Sequence, residues 1–431
     1  MSNAVPHGWS VQLLGKLADV RSSNVDKKSD ASELPVRLCN YTDVYYRNRI
    51  TSDIDFMHAT AKQGEIDRFA LEKGDVIITK DSETPDDIAV PALVSESLPG
   101  VICGYHLTLL RPKPDRSNGE FLAHLFQLQS VQHYFYLLAN GTTRFGLTAE
   151  AINTAPLITP PLPEQQKIAT ILSSVDNVIE KTRAQIDKLK DLKTGMMQEL
   201  LTKGIGHTEF KDSPVGRIPI SWSISDMRSL CSVVTKGTTP TSLGHSYKES
   251  GINFIKVESI IRNGVIDPNK FSYIDEAANK SLARSVLYAG DILITIAGAT
   301  VGKLAIVNES HLPANTNQAL SIVRVNPSKA NRLFLYYWLQ SGYIVDQVWS
   351  IQTVGAQPNL SLAQVGEFSV PLPSIEEQNQ ITCQLIALDR KESLISTKLA
   401  GLVNLKKALM QDLLTGKVRV KLQKDMLKNV E

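Results

Sequence analysis

The chain has 431 residues and four cysteines, with 46 Lys and Arg balancing 44 Asp and Glu to a net charge of +2. That length is enough for two to three domains, each with its own core, while the near-neutral total excludes a strongly basic, tail-like nucleic-acid binder. Cys39, Cys103, Cys231 and Cys383 are scattered without zinc or disulfide spacing, no charged-then-apolar leader opens the chain, and no apolar run reaches membrane length, so a reduced, cytoplasmic, soluble protein is expected.

Charge is uneven along the chain. Residues 1–158 hold 15 basic and 19 acidic side chains (15 − 19 = −4), residues 206–370 hold 14 and 12 (+2), and residues 371–431 hold 10 and 7 (+3). In chain order the first marker is Trp9-Ser10-Val11, which recurs as Trp222-Ser223-Ile224 at an offset of 222 − 9 = 213. Leu71-Glu72-Lys73-Gly74-Asp75-Val76-Ile77-Ile78-Thr79 parallels Leu287-Tyr288-Ala289-Gly290-Asp291-Ile292-Leu293-Ile294-Thr295. Both read as a Gly-Asp turn feeding a β-branched strand. Phe121–Leu138 and Leu333–Val348 read as aromatic-rich helices. Gly146-Leu147-Thr148 and Asn359-Leu360-Ser361 then lead to an apolar-proline step in each half. Asn40-Tyr41-Thr42-Asp43-Val44-Tyr45 reads as having no counterpart in the second half.

After Pro160-Pro161-Leu162-Pro163 comes a stretch, Glu164 to Thr202, that recurs from Glu377 to Thr415 after Pro371-Leu372-Pro373, with 378 − 165 = 213 and 415 − 202 = 213. Apolar residues three and four apart (Ile168, Leu172, Val175, Ile179, Ile186, Leu189, Met196, Leu200) mark a heptad seam, interrupted at Thr182 and Lys193. The second copy offers Ile381, Leu385, Leu388, Ile395, Leu399, Leu402, Leu409 and Leu413, interrupted at Glu392 and Lys406. Each helix would run roughly 60 Å at ~1.5 Å per residue, more than a small domain needs, with Gly204 and Gly416 at the C-terminal stops. The simplest partner for one copy is the other. Lys193 and Lys406 then fix register, or contact a partner. The chain is thus an α+β protein of two repeats, divided into residues 1–158, 159–205, 206–370 and 371–431: a globular domain and a long helix, twice.

Motifs for chemistry are missing. Gly298-Ala299-Thr300-Val301-Gly302-Lys303-Leu304 has three residues between its glycines and Leu304 after the lysine, so it lacks the spacing and the hydroxyl of a phosphate loop; a strand-joining turn accounts for it better. There is no Gly-x-Gly-x-x-Gly after a strand, no metal-spaced histidine pair and no nucleophile elbow. The domains carry instead polar, turn-rich stretches with basic and amide side chains. In the first these are Arg47-Asn48-Arg49, Lys80 to Thr84 (with Ser82) and Gly141 to Arg144. In the second they are Lys236-Gly237-Thr238-Thr239-Pro240, Lys256, Lys303, and Gln352 through Asn359, including Gln357. Such side chains hold phosphates and read base edges.

Across nearly its whole length the sequence resembles the specificity subunit of a type I restriction–modification enzyme. The resemblance rests on the duplicated Pro-Leu-Pro…Glu-Gln…Ile lead-in, the duplicated helix ending in Leu-Leu-Thr, the Gly-Asp strands, the Gly-Thr-Thr-Pro segment after Lys236, and Leu38 to Tyr45. It implies two target-recognition domains separated by an antiparallel coiled coil of two long helices, as a pseudo-two-fold repeat. Each domain would read half of a split double-stranded DNA site, and the helices would dock two methyltransferase subunits. It further implies that S-adenosylmethionine belongs to those methyltransferases, that ATP and Mg belong to added restriction subunits, and that this chain is non-catalytic. Two alternatives stand beside it. A fused methyltransferase/restriction enzyme would need an Asn-Pro-Pro or Asp-Pro-Pro motif, which does not occur. A coiled-coil scaffold without nucleic-acid binding is the other, and a gel shift with and without co-expressed methyltransferase subunit separates them.

Overall fold

The computed structural model describes residues 5–261, 264–352 and 359–422. The chain divides into two compact units, Met1–Ala184 with Ser396–Glu431, and Gln185–Ile395. Each contains one globular domain and a segment of each long helix.

The two domains share one β framework. In the first, the strands Ala18–Ser22, Leu107–Pro112, Val76–Thr79, Pro91–Val94 and Arg49–Ile50 lie side by side in that order. In the second, Cys231–Lys236, Leu320–Val325, Ile292–Thr295 and Leu304–Ile306 repeat the first four places. A smaller sheet accompanies each. Leu34–Cys39 sits between antiparallel Met57–Ala61 and parallel Val101–Cys103, and Ile252–Ile255 between antiparallel Ser272–Ile274 and parallel Ala314–Thr316. Val76–Thr79 and Ile292–Thr295 are buried at every position. That is why their sequences are continuous apolar runs closed by a threonine rather than alternating patterns.

The Gly-Asp turn ahead of each of these strands has a physical cause. Gly74 and Gly290 adopt φ of +96° and +92°, open to glycine at little cost. The aspartate that follows closes the turn: Glu72 N donates to Asp75 at 2.8 Å and Tyr288 N to Asp291 at 2.9 Å. Each carboxylate, 2% or less exposed, also takes an arginine from the neighbouring strand, Arg111 at 2.8 Å and Arg324 at 2.7 Å. The Gly298–Lys303 stretch is indeed a strand-joining turn, with Gly302 N donating to Thr295 O at 2.8 Å.

Two expectations are corrected. The aromatic helices are each broken in two, Gly119–Phe126 with Gln129–Leu138 and Arg332–Trp338 with Gly342–Gln352. The breaks let Phe126 stack on Phe135 (centroids 5.4 Å apart) and Trp338 on Tyr343 (5.7 Å), folding each pair back on itself. The segment Asn40–Tyr45 does have a counterpart. Both Tyr41–Tyr45 and the 3-10 turn Val257–Ser259 follow the central strand of the smaller sheet. In one, Asn40 N donates to Asp43 at 2.8 Å; in the other, Lys256 N donates to Ser259 Oγ at 3.2 Å. The turn is conserved in place while its residues differ, which hid it from a residue-by-residue match.

The long helices span Leu162–Lys203 and Ile375–Leu413. Gly204 (φ +67°) ends the first, and Gly416 (φ +69°) lies just past the second. The lead-in motif explains how each helix is fastened to its domain. Gln165 donates to Pro160 O at 2.9 Å and to Arg116 O at 3.1 Å, and accepts from Asn118 N at 3.1 Å. Gln378 donates to Pro373 O at 2.9 Å and accepts from Asn331 N at 2.7 Å. The glutamate before each glutamine accepts from a tryptophan ring, Trp9 to Glu164 at 3.3 Å and Trp222 to Glu377 at 3.0 Å. Desolvated amides and carboxylates this fully partnered are costly to replace.

Within each unit the helix segments run antiparallel. In the first, Glu164 meets Arg419 at 2.7 Å and Asp176 meets Lys406 at 2.7 Å. In the second, Glu377 meets His207 at 2.8 Å and Asp389 meets Lys193 at 2.6 Å. Ile168 and Leu172 enter the first core with Met410 and Leu413, and Leu385 enters the second with Leu201. Of the other heptad positions, Val175, Leu399, Leu402 and Leu409 of the first unit are half-buried, and in the second unit Ile186 and Leu189 are buried and Leu388 is half-buried. Lys193 and Lys406 interrupt the apolar seam because each meets an aspartate across it.

Candidate nucleic-acid interface

In the first unit the turn after Val76–Thr79 and the turn before Leu147 are brought together by strand pairing, Ser82 opposite Phe145 and Asp81 opposite Gly146. The second turn closes on itself, with Asn140 N donating to Gly146 O at 3.0 Å and Gly146 N to Asn140 O at 2.9 Å. Gly141 (φ +150°) is required there, because a Cβ would overlap the Arg144 carbonyl. The pairing sets the Lys80–Thr84 turn, with Lys80, Ser82 and Thr84, beside the turn that carries Arg144. Arg144 and Thr84 are exposed and Ser82 is buried. Thr84 Oγ donates to Asp87 at 3.3 Å.

Lys80 is less free than its sequence suggests. Its amine donates to Ser23 O at 2.9 Å and lies 4.6 Å from the centre of the Tyr105 ring. Beside it, His106 Nδ1 and Asp81 Oδ2 are 2.8 Å apart. The Tyr41–Tyr45 helix adds stacked rings 5.4 Å apart, and Arg47 lies half-exposed 3.8 Å from Asp43. A hydrogen bond to Asp87, then burial, push the Tyr45 hydroxyl up to about 12, so it stays a neutral donor. Arg49 lies instead 3.9 Å from Glu180 on the first long helix.

In the second unit the same places carry other side chains. Lys236 ends its strand exposed, and Gly237 is required where a Cβ would overlap the Thr316 and Asn317 carbonyls. Thr238 accepts from Arg284 at 3.3 Å, and Thr239 bonds Gln318. Asn359 bridges Ala297. Lys256 lies 3.2 Å from Glu258 and 5.5 Å from the Tyr247 ring centre. Lys303 donates to the Ile260 carbonyl. Gln357 lies outside the described residues.

Sequence reading passed over Tyr105, His106, Arg284 and Gln318, and took Asp81 only as part of the Lys80–Thr84 stretch. A signal existed in the repeat offset: 318 − 105 = 213 and 319 − 106 = 213 set Tyr105 and His106 against Gln318 and Ala319. The backbone agrees, since Lys80 N donates to His106 O at 3.0 Å and Ile296 N to Ala319 O at 2.8 Å. Likewise Leu147 N reaches Lys80 O at 2.9 Å and Leu360 N reaches Ile296 O at 2.8 Å. One backbone frame carries unlike side chains.

Among the described residues no helix is long and apolar enough to cross a membrane. The sequence pattern described as the type I restriction modification DNA specificity domain matches twice, over residues 6–191 and 219–404. The MjaX specificity subunit assigned to a type I restriction enzyme in Methanocaldococcus jannaschii is 26% identical, over 97% of this chain and 95% of its own. The MjaVIII specificity subunit from the same organism is 30% identical over 61% of this chain and 62% of its own. A type I restriction–modification S subunit from M. genitalium has a similar fold, with a TM-score of 0.58 at 14% identity over 98% of this chain and 99% of that one.

Proposed function

The chain belongs to the type I restriction modification DNA specificity family, and from that premise we propose that each of its two domains reads one half of a bipartite double-stranded DNA target while its long helices dock methyltransferase subunits. The observation that carries this reading is the repeated backbone frame with different side chains on it, Lys80, Asp81, Tyr105 and His106 against Ile296, Ala297, Gln318 and Ala319. A constant frame that carries unlike loop side chains suits two domains that recognise different sequences. Residues 1–158 and 206–370 are the two target-recognition domains, and residues 159–205 and 371–431 supply the helices and the basic tail.

Docking on the helices is supported by apolar side chains that they leave in water: Val178 (43% exposed), Leu192 (50%), Leu394 (72%) and Leu405 (49%). The chain itself performs no chemistry in this reading. S-adenosylmethionine enters with the methyltransferases, ATP and Mg with restriction subunits, and the assembly works in the cytoplasm. Phosphate attraction comes largely from the partners, which suits a chain of net charge +2. Exchange of residues 1–158 for a homologous domain, followed by a map of methylated adenines, is expected to change one half-site only. Simultaneous change of both half-sites would refute the division of labour.

A further inference from the structure

We propose that His106, positioned by Asp81, is a base-reading side chain of the first domain, and that Lys80 positions it rather than touching DNA. This deepens the functional reading above and rests on it. Four observations carry it. The Nδ1 of His106 is 2.8 Å from Asp81 Oδ2, and a carboxylate only accepts, so the proton lies on Nδ1 and the ring is held in one orientation. Nε2 then has no hydrogen-bond partner among the described residues, and the side chain is 25% exposed, open enough to meet a ligand and constrained enough to be specific.

Lys80, the obvious cation of this loop, is already committed to the Ser23 carbonyl at 2.9 Å and to the Tyr105 ring at 4.6 Å. Tyr105 meets His106 edge-on, with centroids 4.8 Å apart. The lysine thus braces the tyrosine, and the tyrosine flanks the imidazole. Finally, the second domain keeps the backbone hydrogen bond at this place but sets Ala319 and Ala297 where His106 and Asp81 stand, so the fold does not require the pair. A polar pair absent from the otherwise equivalent frame is explained by what that one domain reads. An oriented ring nitrogen at a loop tip suits the hydrogen-bonding edge of a base in the major groove.

The test uses the full chain co-expressed with its methyltransferase subunit, with His106→Ala, His106→Gln and Asp81→Asn, and a methyladenine map of the host DNA. The expected result is loss of discrimination by about 5- to 150-fold at one base position, the same position for the His106 and Asp81 variants, with the other half-site unchanged. A merely structural pair would lower methylation at every site without relaxing a position. The idea is overturned if the glutamine variant co-purifies with the methyltransferase and keeps every position, or if the variants relax different half-sites. Exchange of residues 1–158 in parallel separates the two claims. If that exchange alters neither half-site, the two-domain reading fails; if it alters one while His106 and Asp81 variants are silent, only this inference fails.

Discussion

The place where each globular domain meets the long helices is built twice, from different side chains. In the first unit His124 comes off the helix Gly119–Phe126 toward the Asp176–Lys406 pair; in the second, 337 − 124 = 213 residues later, Tyr337 comes off Arg332–Trp338 toward Asp389–Lys193. The tyrosine solves its polar problem cleanly. Its hydroxyl donates to Asp389 at 2.6 Å while Lys193 lies 5.6 Å from its ring centre. Burial and then that bond hold the phenol well above its ordinary range, so it remains a donor at any physiological pH.

The histidine solves it less well. Its Nε2 is 3.3 Å from Ser173 Oγ, which in turn donates to Glu120 at 3.1 Å, but Nδ1 has no hydrogen-bond partner and stands 3.8 Å from Asp176. Burial, then the nearby Lys406 ammonium, push His124 down to about 4 despite the Asp176 carboxylate, so at neutral pH the two do not form an ion pair. Lys406 is also the more enclosed lysine, 12% exposed opposite a 13% exposed aspartate, whereas Lys193 and Asp389 are 21% and 38% exposed. The same architecture thus tolerates either a fully satisfied or a strained polar contact, provided the lysine–aspartate pair spans the seam.

The largest difference between the units is expected from removing the enclosed lysine. Lys406→Ala leaves Asp176, only 13% exposed, with no lysine and only the His124 ring 3.8 Å away, and should destabilise the first unit by about 3–5 kcal/mol. Hydrogen exchange of the Gly119–Phe126 helix measures it, and an effect below that of the Lys193 variant would break the comparison. Next comes pH. His124 is neutral when folded down to about 4 but takes a proton near 6.5 when unfolded, so the unfolded chain binds the extra proton between these values. Stability of the first unit should therefore fall as pH drops from about 6.5 toward 4, by up to about 3 kcal/mol. His124→Phe should flatten that slope in a denaturation series, and an unchanged slope would place the titrating group elsewhere. Tyr337→Phe removes a donor from a carboxylate and should cost the second unit about 1.5–3 kcal/mol with no comparable pH slope. Smallest is Lys193→Ala, about 1 kcal/mol, because water reaches Asp389 and replaces the lysine; denaturant unfolding followed through hydrogen exchange of Arg332–Trp338 checks both.

The sequence by itself determined the duplication, the two long helices and the strands after each Gly-Asp turn. These are written locally: a heptad period needs only the chain's own spacing, and a buried strand between turn residues is recognisable wherever it packs. It also marked Lys193 and Lys406 as interruptions of the seam. Only the tertiary structure decided what they interrupt it for, because Asp389 and Asp176 lie 389 − 193 = 196 and 406 − 176 = 230 residues away and no local pattern carries such a distance. The breaks after Phe126 and Trp338 escaped for a related reason, since aromatic stacking between consecutive short helices overrides the helical preference of the intervening residues. At the candidate interface the loops were legible as polar turns, but the state of each side chain was not. Lys80 and Lys303 look free in sequence, yet each ends on a backbone carbonyl, Ser23 and Ile260. His106 and Asp81 look unremarkable until strands from different parts of the chain bring them together. Whether a polar side chain is available to a ligand depends on which acceptors the fold sets beside it, and that is settled by packing between distant segments.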